Sequence, residues 1–501
     1  MSTALRQLGA LLSLRWQMIR SARVRMVIRL VGLLVVFLLI EAARSGGHLE
    51  KAALATAVKL APQAFLGFGV LAVVAPLTAG GGNQLFPQDQ LVAYPVLPRT
   101  QFIGGLLLAP VNLVWALQII ALVAETAYLT HGGNAFLGAV TALAFVAALT
   151  VAGQALAWLV AGLRQTRSGR RLAGALGLSA LIAGVVIVKS GSGQAVLDAS
   201  PTHDVVAGVV AGAQGRIGPW SATTGILLGI LVVGLLLGSR TCAWALRRPG
   251  DAGAVRESRP VRRRTRRGGQ LRELVAVDRG SVWRAPALRR GGLVLALMPG
   301  LAAAGAGVPW QSMIVLPGLV AAGAGLLFGV NAFCLDGSGA LWMASLPHQP
   351  GLVARAKLLV LTETVLAAVA IAAVTGSLRS PGTPTTTQLV AIATSALCAS
   401  ALVVATSLSM SVAHPHRADL KGPRDAVAPP GSLAMASARL ALPAGLVGMV
   451  FQGTAASERW WSTVVLALPL LAACAVWVRR SLGRYDQPWV RSRIVQVVSS
   501  G

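Results

Sequence analysis

Twelve stretches of apolar residues, each close to the length that crosses a bilayer, leave this chain few folds to choose from. They lie near residues 26–43, 52–79, 103–128, 135–163, 172–189 and 222–246, then near 291–308, 311–333, 355–376, 387–413, 433–453 and 462–479. A helix needs ~20 residues to traverse the hydrocarbon core. Alternation of period two is absent, and open strands cannot satisfy their backbone in lipid, so each stretch is expected to be a helix. Composition agrees: hydrophobic residues make up 55% and charged residues 12% of 501, with a mean hydropathy of +0.69. A soluble domain carries about twice that charge fraction. The 56 glycines suit close helix packing in lipid.

The stretches fall into two copies of one unit, residues 1–246 and 271–480. Each copy opens with a basic segment containing Leu5-Arg6-Gln7-Leu8 or Leu271-Arg272-Glu273-Leu274. A Trp and an arginine cluster follow, Trp16 to Arg25 or Trp283 to Arg290. After the second span each copy has a short polar segment holding an Asn, an Asp and a Leu-Pro. These are Asn83, Asp89 and Leu97-Pro98, then Asn331, Asp336 and Leu346-Pro347, at offsets of 248, 247, 249 and 249 residues. The expected fold is therefore all-α: a polytopic membrane protein of about 12 transmembrane helices as two six-helix repeats, related by a pseudo-two-fold axis. The expected division is 1–25, a cytoplasmic elbow segment; 26–246, the first six-helix half; 247–270, a basic linker; 271–290, a second elbow; 291–480, the second half; and 481–501, a cytoplasmic tail.

Charge sets the orientation. Residues 1–25, 164–171, 247–290 and the tail hold most of the arginines, fourteen of them in 247–290 alone. The intervening loops 41–51, 129–134, 190–221, 377–386 and 454–461 are close to neutral. The positive-inside rule then puts both termini and the central connection in the cytoplasm. No cleavable leader is expected, because the basic n-region is too long and Glu41-Ala42-Ala43-Arg44 is a poor cleavage site. The net charge of +28 fits this bias together with attraction to anionic lipid headgroups. The Arg256 to Arg267 run lacks interleaved aromatics and is rich in Pro, Gly and Ser. It reads as a flexible linker, with no nucleic-acid partner expected.

Catalytic and cofactor motifs are not evident. A phosphate-binding loop needs a lysine followed by Ser or Thr in a glycine-rich turn. Lys51, Lys59, Lys357 and Lys421 lack the following Ser or Thr, and Lys189-Ser190 lacks the glycine before the lysine, Val188 standing there instead. No Gly-x-Ser-x-Gly or His-Glu-x-x-His occurs. Cys242, Cys334, Cys398 and Cys474 are scattered among apolar spans, as small hydrophobes would be. His414 and His416 flank a proline at a helix end and lack further ligands in sequence. No metal or cofactor is expected in the chain.

This layout resembles the membrane subunit of an ATP-binding-cassette (ABC) exporter, of the class whose half-permeases have six helices. The resemblance rests on three features: an amphipathic elbow (4–23 and 271–288), a short segment between the second and third spans (83–101 and 331–354), and a long outer loop between the fifth and sixth spans (190–221). The second copy departs from the third feature, because 454–461 is short. The resemblance implies a translocation pathway coupled to a separate cytoplasmic ATPase, two copies of it, carrying the ATP. It implies that the short segments are coupling helices presenting Phe86, Leu91, Tyr94, Leu341, Trp342 and Leu346 to that partner. Asp89 and Asp336 would favour the helix starts. Leu97-Pro98 and Leu346-Pro347 would end the helices.

Two other readings remain open. A proton-coupled transporter of the major facilitator type also has two six-helix halves, and Gly162 to Arg171 resembles its Gly-x-x-x-Asp-Arg-x-Gly-Arg-Arg signature. That signature belongs after the second span, however, and Thr166 replaces its Asp. A membrane-embedded lipid-modifying enzyme would need a polar cluster near one interface. Glu363 lies mid-span between Thr362 and Thr364 and is a candidate pathway residue.

Overall fold

The computed structural model describes residues 7, 9, 61–70, 72–73, 96–107, 119, 122–123, 125–127, 129–130, 135–248, 269–349, 351–417, 430–457 and 459–499. These residues contain helices, turns and bends and no strand. The spans expected at 26–43, much of 52–79 and 103–128, and Phe86, Asp89, Leu91 and Tyr94 lie outside them. The chain divides into two compact units, residues 1–77 with 81–252 and residues 78–80 with 253–501. The main boundary falls between residues 252 and 253, in the arginine-rich stretch.

Among the described residues of the first unit 61–70 are helical, and the further helices are α1 (Pro98–Leu107), α2 (Ala135–Leu163), α3 (Arg167–Ser190), α4 (Gly193–Asp198), α5 (Thr202–Ala213) and α6 (Ile217–Arg247). The long α2 and α6 pack along each other. Thr141 and Thr224 share a hydrogen bond of 2.9 Å across this seam, and Gln165 Nε2 donates to the Ala245 carbonyl at 3.1 Å. Phe65, Phe68 and Phe145 cluster in the core, the Phe65 and Phe145 rings 5.2 Å apart. The polar turn 164–166 is used locally: Thr166 Oγ1 caps α3 by accepting from Gly169 N at 3.0 Å. Gly191, at φ 73°, ends that helix in the left-handed conformation. The loop expected over 190–221 is a helical pair, with Val205, Val206 and Val209 of α5 buried. It packs on α2 and α6, while the most apolar stretch of α3 buries nothing within the unit.

The second unit runs α7 (Gln270–Arg284), α8 (Pro286–Gly305), α9 (Trp310–Met313), α10 (Leu316–Ala324), α11 (Gly339–Ser345), α12 (Leu352–Ser377), α13 (Thr386–Ala413), α14 (Pro430–Ala455), α15 (Trp460–Tyr485) and α16 (Pro488–Ser499). A capping box of Thr385 and Gln388 starts α13. The core gathers Val320, Val365, Val403, Leu440 and Phe451 from α10, α12, α13 and α14. Below α10 the helix loosens into a π turn, Gly325–Gly329, and then a 3-10 turn, Cys334–Asp336. Ser411 of α13 satisfies the loosened backbone: its hydroxyl donates to the Gly329 carbonyl at 2.8 Å and accepts from Ala332 N at 3.0 Å. Irregular backbone at membrane depth is tolerated where protein covers it in this way.

Eight of the described helical stretches are long and apolar enough to cross a membrane, or nine if the bent pair α7–α8 counts as one. They coincide with the expected spans, and some run several residues further, because hydropathy marks only the hydrocarbon-facing part. In α15, for example, Arg479, Arg480 and Arg484 continue the helix.

Glycine sets the closest crossings. A Cβ at Gly318 would meet the Ala444 carbonyl oxygen, and one at Gly300 the Thr375 hydroxyl. Gly318→Val should therefore cost about 1–3 kcal/mol by forcing α10 from α14. Gly225 has nothing within 4 Å of its would-be Cβ, so Gly225→Ala should be near neutral. Unfolding of the purified variants in detergent checks both.

Candidate functional site

The site grows from the bend between α7 and α8. Ala285 is extended, at φ −76° and ψ 107°, as expected of a residue before proline. Pro286 then starts α8, and the two helices lie 83° apart. Helix α7, Gln270–Arg284, covers most of the segment expected as the second elbow. It turns Val275 onto Ala356 and Val360 of α12, with Leu271, Leu274 and Val282 packed around them.

Next to this contact sits a buried ion cluster. Lys357 of α12 is 5% exposed. Its Nζ donates to Asp278 Oδ1 of α7 at 2.7 Å and to Asp336 Oδ1 at 2.5 Å. One ammonium thus ties together the elbow, the start of the segment between two spans, and the following span. A cavity of about 30 Å³, lined by residues including Asp278, Asn331, Cys334, Lys357 and Thr364, adjoins the cluster. That is room for about one water. Asn331 is buried, and its Nδ2 donates to the His416 carbonyl at 2.6 Å. Burial, with His414 nearby, holds the His416 ring below its usual pKa, so it adds no charge here near neutral pH.

Asp336 departs from its expected role. It does not favour the start of α11: Ser338 occupies the cap position without a side-chain bond, and the Asp336 carboxylate binds Lys357 instead. The buried Lys357 ammonium needs a counter-charge, and the partly buried Asp336 carboxylate supplies one.

Helix α11 is short, and Leu341, Trp342 and Leu346 are exposed, Trp342 at 77%. Leu346 is extended at φ −79° and ψ 143°, so the Leu346-Pro347 step ends the helix. In the first unit Leu97 is exposed and Pro98 starts α1. Gln7, from the first elbow, accepts there from Leu97 N at 3.4 Å and from Thr100 Oγ1 at 3.2 Å. Gln7 thus touches the start of α1 through hydrogen bonds, while α7 touches α12 through ions.

Glu363 is paired. Arg279, adjacent to Asp278 on the elbow, grips both of its carboxylate oxygens, Nε to Oε2 at 2.7 Å. Consecutive elbow residues thus bind the same span two turns apart.

Sequence reasoning missed Asp278 and Lys357 as a pair, since 79 residues separate them. The one available signal was Lys357 itself, a cation near the end of an apolar span. Among the described residues no three His, Cys, Asp or Glu side chains gather as a metal site, and the four cysteines are buried and unpaired with one another. Comparison with known proteins finds no family model, no curated protein and no solved structure that matches this chain.

Proposed function

We propose that this chain is the permease subunit of an ABC-type exporter in the bacterial plasma membrane. Its two six-helix halves form the translocation pathway, both termini are cytoplasmic, and a separate nucleotide-binding ATPase, in two copies, supplies the energy. ATP is bound on that partner, and lipids are the chain's other contacts. The observation that carries this reading is α11, a short helix between two spans. It exposes Leu341 and Trp342, and the 3-10 turn before it contacts α7, the helix bent 83° from α8. Such apolar anchors on a short interhelical element suit a partner groove better than open water.

The proton-coupled alternative draws its support from Glu363, the one acid in α12. Its engagement by Arg279 leaves that carboxylate with a counter-ion, which argues against its being the coupling acid. A lipid-modifying enzyme has no specific observation in its favour.

Two results test the proposal. A nucleotide-binding subunit encoded beside this chain should co-purify with it. In side-specific labelling, Ala344→Cys and Gln90→Cys should react from the cytoplasm, and Thr383→Cys from outside. Labelling of position 90 or 344 from outside would sink the arrangement.

A further inference from the structure

The last helix, α16, has a use that the proposed coupling helix does not exhaust. Val490, Ile494 and Val498 recur every four residues, so they form one stripe along it. All three are buried, at 7%, 3% and 3% exposure. They pack in one cluster with Phe333 and Ala340 of the segment that carries α11. Tyr485, at the end of α15, stacks on Phe333 with ring centroids 5.3 Å apart. Helix α16 thus lies directly against α11 and the 3-10 turn before it.

An amphipathic basic helix beside a membrane ordinarily lays its apolar stripe into the lipid interface. Here that stripe is already occupied by protein. The residues α16 turns outward are Trp489, Ser492, Arg493 and Gln496, with Trp489 64% exposed. Residues 479–499 contain five arginines against one acid, Asp486. An exposed tryptophan among arginines and small polar groups is the composition of a protein interface.

We propose that α16 and α11 form one composite docking surface, and that its occupant is an ATPase subunit whose groove for α11 is flanked by acidic side chains that meet α16. This rests on the ABC reading above and extends it: the partner reads the C-terminal helix as well as the coupling helix. Trp489 serves as a second anchor beside Trp342, and Arg493 supplies charge complementarity. Because α16 also packs on Phe333 and Tyr485, a push on either helix reaches the end of α15.

The test places a photo-crosslinking amino acid at position 489, at 342, and at the exposed Leu236 of α6, each in the full-length chain co-expressed with the nucleotide-binding subunit encoded beside it. The expected result is that 489 and 342 capture that same subunit and 236 does not. In the affinity measurement Trp489→Ala should weaken the complex on the order of 30-fold, and Arg493→Glu should weaken it further as salt is lowered. Both side chains are exposed, so folding is spared. Capture at 342 but not at 489, with full affinity in Trp489→Ala, overturns the inference and leaves the ABC reading intact. Crosslinking of 489 to lipid overturns it in favour of a membrane anchor. Capture at neither position overturns both.

Discussion

Lys357→Met should be the most destabilising single substitution in the second unit. It leaves the Asp278 and Asp336 carboxylates facing each other without the ammonium that each binds within 2.7 Å. Removing one member of a buried ion cluster costs about 3–5 kcal/mol, because the remaining charge is neither hydrated nor paired. The loss should be reversible by design. The triple variant Lys357→Met, Asp278→Asn, Asp336→Asn removes every charge, and neutral replacement of such clusters is often harmless. It should recover most of the lost stability. The measurement is unfolding of the detergent-purified single and triple variants under one set of conditions. If Lys357→Met unfolds like the parent, the cluster is not buried in the way described, and the elbow is held to α12 by its apolar contact alone.

The second large effect is on partner binding. Leu341, Trp342 and Leu346 make few contacts within the chain, as their exposures of 55%, 77% and 56% indicate. Replacing all three with alanine should therefore leave the membrane domain folded. Interface anchors of this type contribute roughly 2 kcal/mol each, so the triple variant should lose the ATPase in a pull-down yet stay monodisperse in size exclusion. Tyr94→Ala should do the same, more weakly, in the first half. Full retention of the partner by both variants would make these segments ordinary loops.

Much of this architecture was legible because its signals are local. Hydropathy located every described span, and the Asn, Asp and Leu-Pro repeat located the short helix α11. Leu346-Pro347 ends that helix for a reason contained in two residues. The ion cluster was not legible, because Asp278, Asp336 and Lys357 sit on three elements whose meeting depends on the 83° bend at Ala285 and Pro286. Asp336 was misjudged for the same reason: its nearest sequence neighbours suggested a cap, while its spatial neighbour is a lysine 21 residues on. Helix α16 escaped notice because Arg491 and Arg493, with the polar residues between them and beyond, lower its hydropathy and hide a four-residue apolar period. In α3 the sequence promised a span like the others, and nothing in it indicated that α5 rather than α3 would cover α2.

The central claim is that this chain is a pathway driven by another subunit. It is tested most directly by reconstituting the purified chain in proteoliposomes, with and without its nucleotide-binding subunit, and measuring ATP hydrolysis alongside gradient-driven flux. The account predicts no hydrolysis and no flux from the chain alone. With the subunit present, hydrolysis should respond to the chain, and that response should be lost in the Leu341, Trp342, Leu346 triple variant. Proton-driven transport by the chain alone, abolished by Glu363→Gln, would contradict it.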